Sequence, residues 1–378
     1  MKKSLFLLSS LLVLPLFGCQ LNSGNNNNNN NPSSIEVSYD VVTYMNPLSV
    51  TLNGNDYTPE IADPSIVDGQ NGYYYIVSTD RRMLRSEDLV SWEVISEAYI
   101  DVPTWGEGLY ENPGPKYVWA PDLMKIGDTW VLYYSMSGTE QPYGVGIATS
   151  KDVEGPYVDQ GKLFDYKEIG IDNAIDPQQF LDSDGSLYLV CGSYQGVYLL
   201  ELNEDGQSLV NGVAYQKEHK TLIAGKPGEW DSNTYEGGYI IKKDNKYYFF
   251  GSKGYAVDKE KSNYEVYCGV SDSVYGPYRD HNGIDLTYSG GFKTYGRLVL
   301  TGFTTPEKEV AGPGHNSIFK DDAGDYWIYY HAYYTDDNYA TRHLFMDKLL
   351  WDNKGFPYVE KCKPSYFEEL DGPRIISK

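Results

Sequence analysis

An all-β chain folded as a five-bladed β-propeller is the architecture this sequence predicts. Three observations carry it. One strand–turn–strand unit recurs five times, at steps of 59, 54, 60 and 79 residues. Aromatic residues make up 15% of the 378, with 37 Tyr among them, and aromatics favour strands. No segment sustains the 3.6-residue apolar period of an amphipathic helix, which excludes a helical solenoid. A β-sandwich would supply strands but would not explain the repetition of whole units.

Each copy opens on a polar residue, continues as a short strand, turns at Gly, Asp or Asn, and returns as an aromatic strand. The first copy begins at Asp63-Pro64-Ser65 and returns through Gly72 to Ser78. The second begins at Asp122 and returns through Trp130 to Ser135, and the third begins at Asp176-Pro177 and returns through Gly185 to Ser193. The fourth begins at Glu236-Gly237-Gly238 and returns through Asn245 to Ser252. The fifth begins at His315-Asn316 and returns through Asp325 to His331. A second motif follows in three of the copies: Arg85-Ser86 to Trp92, Thr149-Ser150 to Pro156, and Val270-Ser271 to Pro277. Its counterpart near Leu200–Leu209 is degenerate. The long last step carries an insertion, roughly His281 to Glu309, whose Phe292, Tyr295 and Phe303 are candidates to wall one end of a groove or to sit in a surface loop.

The first 18 residues read as an address. Lys2 and Lys3 precede an apolar run from Leu5 to Phe17, and Leu16-Phe17-Gly18-Cys19 resembles a bacterial lipobox. The expectation is a signal peptide at 1–18, a lipidated Cys19, and a flexible Asn-rich spacer through residue 40. The folded domain then occupies 41–378. Such a protein sits in the bacterial cell envelope, held to a membrane by its lipid and otherwise monomeric. Cys191, Cys268 and Cys362 show no metal-ligand spacing and receive no chemical role. The formal charge of −22 repels phosphate backbones, so nucleic acid is excluded as a partner. A Tyr-rich, acidic, secreted propeller suits a flat, hydroxylated ligand.

Equivalent residues of propeller blades surround one axis. The repeat alignment therefore places Asp63, Asp122, Asp176, Glu236 and His315 together near one end of a central channel. Converging carboxyls raise one another's pKa, and burial raises them further, which is a pattern of functional sites. Glu236 has no cation beside it in sequence and suits a general acid, which must keep its proton.

The order of motifs resembles glycoside hydrolase family 43. They are Ala62-Asp63-Pro64-Ser65-Ile66, Trp119-Ala120-Pro121-Asp122, Asn173-Ala174-Ile175-Asp176-Pro177, Tyr235-Glu236-Gly237 and Gly312-Pro313-Gly314-His315. The resemblance spans the mature domain and implies a five-bladed propeller that hydrolyses glycosidic bonds with inversion. It assigns Asp63 as general base, Asp176 as the carboxyl that tunes the acid, and Glu236 as the acid. It also implies a calcium ion or water cluster near His315, with water between ion and imidazole, and no organic cofactor. Trp119, Asp122, Asn173 and Tyr235 become candidates for substrate contact, Asp122 also reading as a structural corner. Two positions depart from arabinanase-like members: Glu236 is followed by Gly237-Gly238 rather than Ala-Pro, and Gly269-Val270-Ser271 replaces Gly-Arg-Ser.

The substrate expected from this set is arabinose-containing plant cell-wall polysaccharide, cut within the chain at α-1,5-arabinosidic bonds. An exo-acting β-xylosidase or α-L-arabinofuranosidase is the alternative within the enzyme class. Outside it stands a glycan-binding propeller without catalysis, with Trp105, Trp230 and Tyr255 as its aromatic contacts.

Overall fold

The backbone follows the predicted repeat, each unit growing into an antiparallel sheet. The structure is a computed structural model and describes residues 38–376, apart from 107–116, 138–141, 229–233, 292 and 303–308. The expected signal peptide, Cys19 and spacer lie outside the described residues, as do Trp230, Phe292 and Phe303.

Five sheets form the blades. The first has inner strand Ser65–Asp68, followed outward by Tyr74–Ser78, Arg82–Ser86 and Trp92–Ser96, with Val50–Leu52 and Asn55–Asp56 added at its rim. The second runs from Tyr117–Ile126 to Val158–Asp165 and the third from Gln178–Leu181 to Thr221–Ala224. The fourth runs from Glu236–Lys243 to Arg297–Thr301 and the fifth from Val310–Lys320 to Pro357–Tyr358. A sixth, two-stranded sheet pairs Tyr39–Tyr44 with Leu370–Ile376, tying the two ends of the domain together.

Blade faces pack through five apolar layers, one per seam. The second strand of each blade is covered on both faces, so it reads as an almost continuous apolar run. Its side chains alternate between seams with the two-residue period of a strand. Leu132 and Tyr134 join Tyr75, Val77 and Met83 between blades one and two. Val131 and Tyr133 join Leu189 and Leu200 between blades two and three. The last seam closes the ring, with Ile76, Leu84 and Trp92 against Trp327, Tyr329 and Leu344. Backbone bonds reinforce it: the Leu48 N–H donates to the Leu344 carbonyl and the Ile61 N–H to the Arg342 carbonyl, both at 2.9 Å. Many of the tyrosines expected to furnish a ligand surface are thus wedges between blades. Several of their hydroxyls find partners: Tyr134 reaches Asp159 at 2.6 Å and Tyr329 the Leu89 carbonyl at 2.9 Å.

The second motif of the repeat is a turn. Ser86, Ser150 and Ser271 end the third strands and accept from the N–H groups of Asp88, Asp152 and Ser273. The insertion before His315 builds part of a blade: Arg297–Thr301 is the outer strand of the fourth sheet, and Leu286 is buried in the seam.

Candidate active site

Five left-handed residues mark the head of the five inner strands. Asp63, Ala120, Asp176, Gly237 and His315 have φ of 54°, 41°, 59°, 57° and 50°. These, and not the set expected from sequence, are the equivalent positions. Asp122 lies two residues past its blade's head, and Glu236 one residue before its own. The kink rotates the backbone and exposes each head N–H to the preceding blade. That blade answers from the end of its second strand. Thr79 accepts from the Ala120 N–H at 2.9 Å, Ser135 from Asp176 at 2.8 Å, and Ser252 from His315 at 2.8 Å. His331 Nδ1 accepts from the Asp63 N–H at 3.1 Å. Only the fourth blade differs: the Gly237 N–H donates to the Asp176 carboxylate at 3.0 Å, which frees Ser193 to reach Glu236.

Asp63 is therefore fixed from several sides. Thr79 donates to its carboxylate, and His315 Nδ1 lies 3.2 Å from Oδ1. Arg342, paired with Glu60 at 2.8 Å, adds positive field. Burial opposes ionisation of Asp63, yet the His315 cation, then the contact with His331, then Arg342 outweigh it and hold the carboxyl well below the usual range. Burial also works against the His315 cation, which Asp63, Asp176 and Glu236 restore, so its pKa ends above the ordinary value. His331 is fully buried, and burial lowers it to about 4. It is the neutral tautomer whose Nδ1 accepts.

The other two carboxyls behave oppositely. Burial, reinforced by Glu236 and Asp63, pushes Asp176 up to about 7 despite the His315 cation. Burial raises Glu236 as well, against the pull of the Tyr264 and Ser193 hydroxyls. Ser193 Oγ donates to Glu236 Oε2 at 2.7 Å, and the Tyr194 hydroxyl lies 2.7 Å from Oε1.

The structure brings Asp63, Asp176, Glu236 and His315 to one end of the channel and sends other candidates elsewhere. Asp122 accepts from the Ser65 hydroxyl and the Gln179 N–H, both at 2.8 Å, so it stitches blades one and three to the second. Tyr235 is fully buried, its hydroxyl donating to the Tyr295 carbonyl, and it packs on Phe249. Asn173 is buried, with its carbonyl accepting from Ile175 and Ser193. Asp122 and Tyr235 are structural because their side-chain polar groups are satisfied inside the fold, whereas the contacts of Asn173 are those of its backbone carbonyl. Trp119 is the exception. It stands one residue before its blade's head, as Glu236 does, half-buried and stacked on Tyr117. Trp105 donates to the Tyr134 hydroxyl and packs on the first seam, whereas Tyr255 is 57% exposed beside the site.

Sequence reading missed the ring of acceptors Thr79, Ser135, Ser252 and His331. Its signal was present, since every aromatic strand of the repeat ends in Ser, Thr or His. It also missed Tyr194, on a turn of the third blade, for which nothing in the repeat gives a signal.

Among the described residues no cluster of three or more His, Cys, Asp or Glu side chains forms a ligand set for a metal. Below the mouth, the space open to a water centre is about 20 Å³, lined by Asp122, Gln178, Tyr239, Asn316 and Ser317 among others. That is room for one water. Both side-chain polar atoms of Asn316 and the Ser317 hydroxyl are buried there without protein partners. Asp63, Asp176 and His315 line the same space, which with room for one water and no ligand cluster among the described residues fits bound water.

Cleaving an acetal needs one carboxyl that stays charged and another that keeps its proton. A propeller mouth that holds both belongs to a glycoside hydrolase. The defining pattern of glycosyl hydrolases family 43 matches residues 58–357, and the chain belongs to that family. It is 29% identical over 326 residues to an extracellular exo-α-(1→5)-L-arabinofuranosidase of Cellvibrio japonicus, covering 82% of this chain and 89% of that one. It is equally 29% identical, over 348 residues, to an extracellular endo-α-(1→5)-L-arabinanase of Thermotoga petrophila, covering 79% and 71%. A solved Cellvibrio cellulosa α-L-arabinanase, complexed with arabinohexaose, superposes with a TM-score of 0.67 at 26% identity, over 81% of this chain and 96% of that one.

Proposed function

We propose that this chain hydrolyses the α-1,5-linked backbone of arabinan, with inversion, as a lipid-anchored enzyme on the outside of a bacterial cell. The observation that carries the chemistry is the split among three carboxyls at one mouth. Asp63 is held ionised, while Asp176 and Glu236 are held toward their protonated forms. Groups whose surroundings drive their pKa values apart take the base and acid roles. Glu236 gives its proton to the leaving oxygen. Asp63 takes a proton from the water that attacks the opposite face. Asp176 and Glu236 repel each other when both are ionised, so the pair favours states in which a proton is kept, and Asp176 braces the strand through the Gly237 N–H.

Arabinan is supported by the relatives' names, which share the α-1,5-arabinosidic bond. They divide between exo and endo action at equal identity, so identity does not choose between the two. Arabinan is also favoured by the Asn173–Pro177 and Gly312–His315 elements, while the choice between endo and exo action turns on whether the cleft is an open groove or a blind pocket. The lipid anchor rests on the Cys19 motif, and the extracellular address is supported by the relatives. Calcium beside His315, held through water, stands apart from the mechanism, and no step runs through it. Elemental analysis and activity after exhaustive EDTA test that ion.

The deciding assay is incubation with debranched arabinan, reading both reducing sugar and product size. A ladder of oligosaccharides is the expected result. Release of only the smallest sugars makes the enzyme exo-acting. No release from arabinan or from aryl arabinosides and xylosides leaves a binding propeller and refutes the proposal.

A further inference from the structure

Glu236 has a partner whose proton can be counted. The Tyr194 hydroxyl lies 2.6 Å from the Gly254 carbonyl oxygen and 2.7 Å from Glu236 Oε1. A phenol has one proton, and a carbonyl can only accept. If the phenol donated to Glu236, two oxygens would face each other at 2.6 Å across the Gly254 contact with no hydrogen between them. If it donates to Gly254, the contact to Glu236 needs a hydrogen from the carboxyl. The second arrangement satisfies the phenol, the Gly254 carbonyl and the carboxyl oxygen between them. Ser193 already donates to Oε2, which leaves Oε1 as the oxygen bearing the proton.

The backbone fixes this geometry at both ends. Tyr194 adopts φ of 52°, an uncommon conformation for a bulky residue and one that clusters at functional sites. Its N–H donates to the Tyr235 carbonyl at 3.0 Å and its carbonyl accepts from the Thr234 hydroxyl, so the turn is bolted to the residues just before Glu236. Gly254 has φ of 94°, and a Cβ there would lie 2.4 Å from the Asn263 carbonyl oxygen. Only glycine aims that carbonyl at the phenol.

We propose that Tyr194 is a positioning residue for the reaction: oriented by Gly254, its phenol oxygen accepts a hydrogen bond from the un-ionised Glu236 carboxyl and holds the acid in that form until a glycosidic oxygen replaces it. This rests on Glu236 being the general acid. The other groups that face the carboxyl are Asp176 from the third blade, Ser193 and Tyr264, and His315 from the fifth blade. The phenol itself does not ionise, since burial and then Glu236 push it well above its ordinary value.

The two hydrogen-bond directions give opposite signs. An acceptor for the un-ionised acid raises the acid's pKa, and its removal lowers it. A donor to the carboxylate does the reverse. Tyr194→Phe should therefore move the alkaline limb of kcat/KM against pH downward, by about one unit, a tenfold change in the acid's dissociation constant. A limb that stays in place or moves upward overturns the proposal. A second measurement needs no Tyr194 variant. The infrared difference between wild type and Glu236→Gln, taken near pH 6, should contain the carbonyl band of an un-ionised carboxylic acid, and its absence also overturns the proposal. Failure of the underlying reading looks different, because Glu236→Gln would then stay active on arabinan.

Discussion

Glu236→Gln separates acid catalysis from every other way of losing activity, provided two leaving groups are compared. Gln is isosteric with Glu. Its amide oxygen can accept from Ser193 and its amide N–H can donate to Tyr194, so both contacts at 2.7 Å survive. What is lost is the transferable proton. General acid assistance contributes about 10²–10⁴ in rate. The carboxyl is enclosed by Ser193, Tyr194 and Tyr264, so water has poor access as a substitute donor. The loss should approach the upper figure, which corresponds to about 5 kcal/mol of barrier. That applies to a sugar leaving group, which cannot depart as an alkoxide. A dinitrophenyl arabino-oligosaccharide departs as a stabilised phenolate and needs no proton, so the variant should lose less than about tenfold on it. Asp63→Asn should lose about 10³-fold or more on both substrates, because water must be activated in either case. Measuring kcat for the two variants on the two substrates completes the test. Equal losses for Glu236→Gln on both substrates would refute its role as acid, as would an Asp63→Asn enzyme that spares either one.

Asp176→Asn keeps an oxygen for the Gly237 N–H and removes a carboxyl pushed up to about 7. A carboxyl raised above its unfolded value contributes stability that is present below about pH 4 and lost as pH rises through about 7. The variant should therefore melt higher than wild type near pH 8 and no higher near pH 4, and a Tm difference independent of pH would refute this. His315→Asn removes the cation that lowers Asp63, Asp176 and Glu236, so both limbs of the pH–activity profile should move upward, and unmoved limbs would show that the imidazole carries no charge there. Gly237→Ala places a Cβ 3.1 Å from His315 Cγ at φ of 57°. It should lose about 1–2 kcal/mol of stability from the left-handed backbone and lower kcat through the displaced imidazole, whereas wild-type Tm and kcat would show that the seam can yield.

The repeat was legible because the second strand of each blade is buried on both faces, and such strands keep an unbroken apolar run whatever their loops do. The head of the inner strand was less legible. Asp122 took its place in the alignment because it is the ionisable residue nearby. The prolines carried the correct register: Pro64, Pro121 and Pro177 each follow a left-handed residue, which makes Ala120 the counterpart of Asp63 and Asp176. In the fourth blade the signal was Gly237, a glycine where the other blades carry Asp, Ala or His. Gly238 is glycine for a different reason, since a Cβ there would lie 2.8 Å from Val197 Cγ1. The departure from Ala-Pro after Glu236 therefore reflects the packing of Val190, Val197 and Phe249 beneath the strand. Tyr194 could not be read at all. It lies 42 residues from Glu236, and only the closing of the seam between the third and fourth blades brings the two together.

That seam explains why one ring of carboxyls yields two protonation states. On the side of Asp63 the fifth blade supplies the His315 cation, the field of Arg342 and the neutral His331. Around Glu236 the nearest groups are hydroxyls: those of Ser193 and Tyr194 from the third blade, and that of Tyr264, whose ring stacks on His331. Hydroxyls can donate or accept and so tolerate either state of a carboxyl, whereas cations stabilise only the ionised one. His315 is the single charge that reaches both sides. Its attraction is strongest for Asp63, the carboxyl 3.2 Å away, and that leaves burial to dominate at Asp176 and Glu236. The base and the acid thus differ because of the seam each one occupies. Moving a cation from the fifth blade to the third would therefore be expected to ionise Glu236 and stop proton donation, even with all three carboxyls in place.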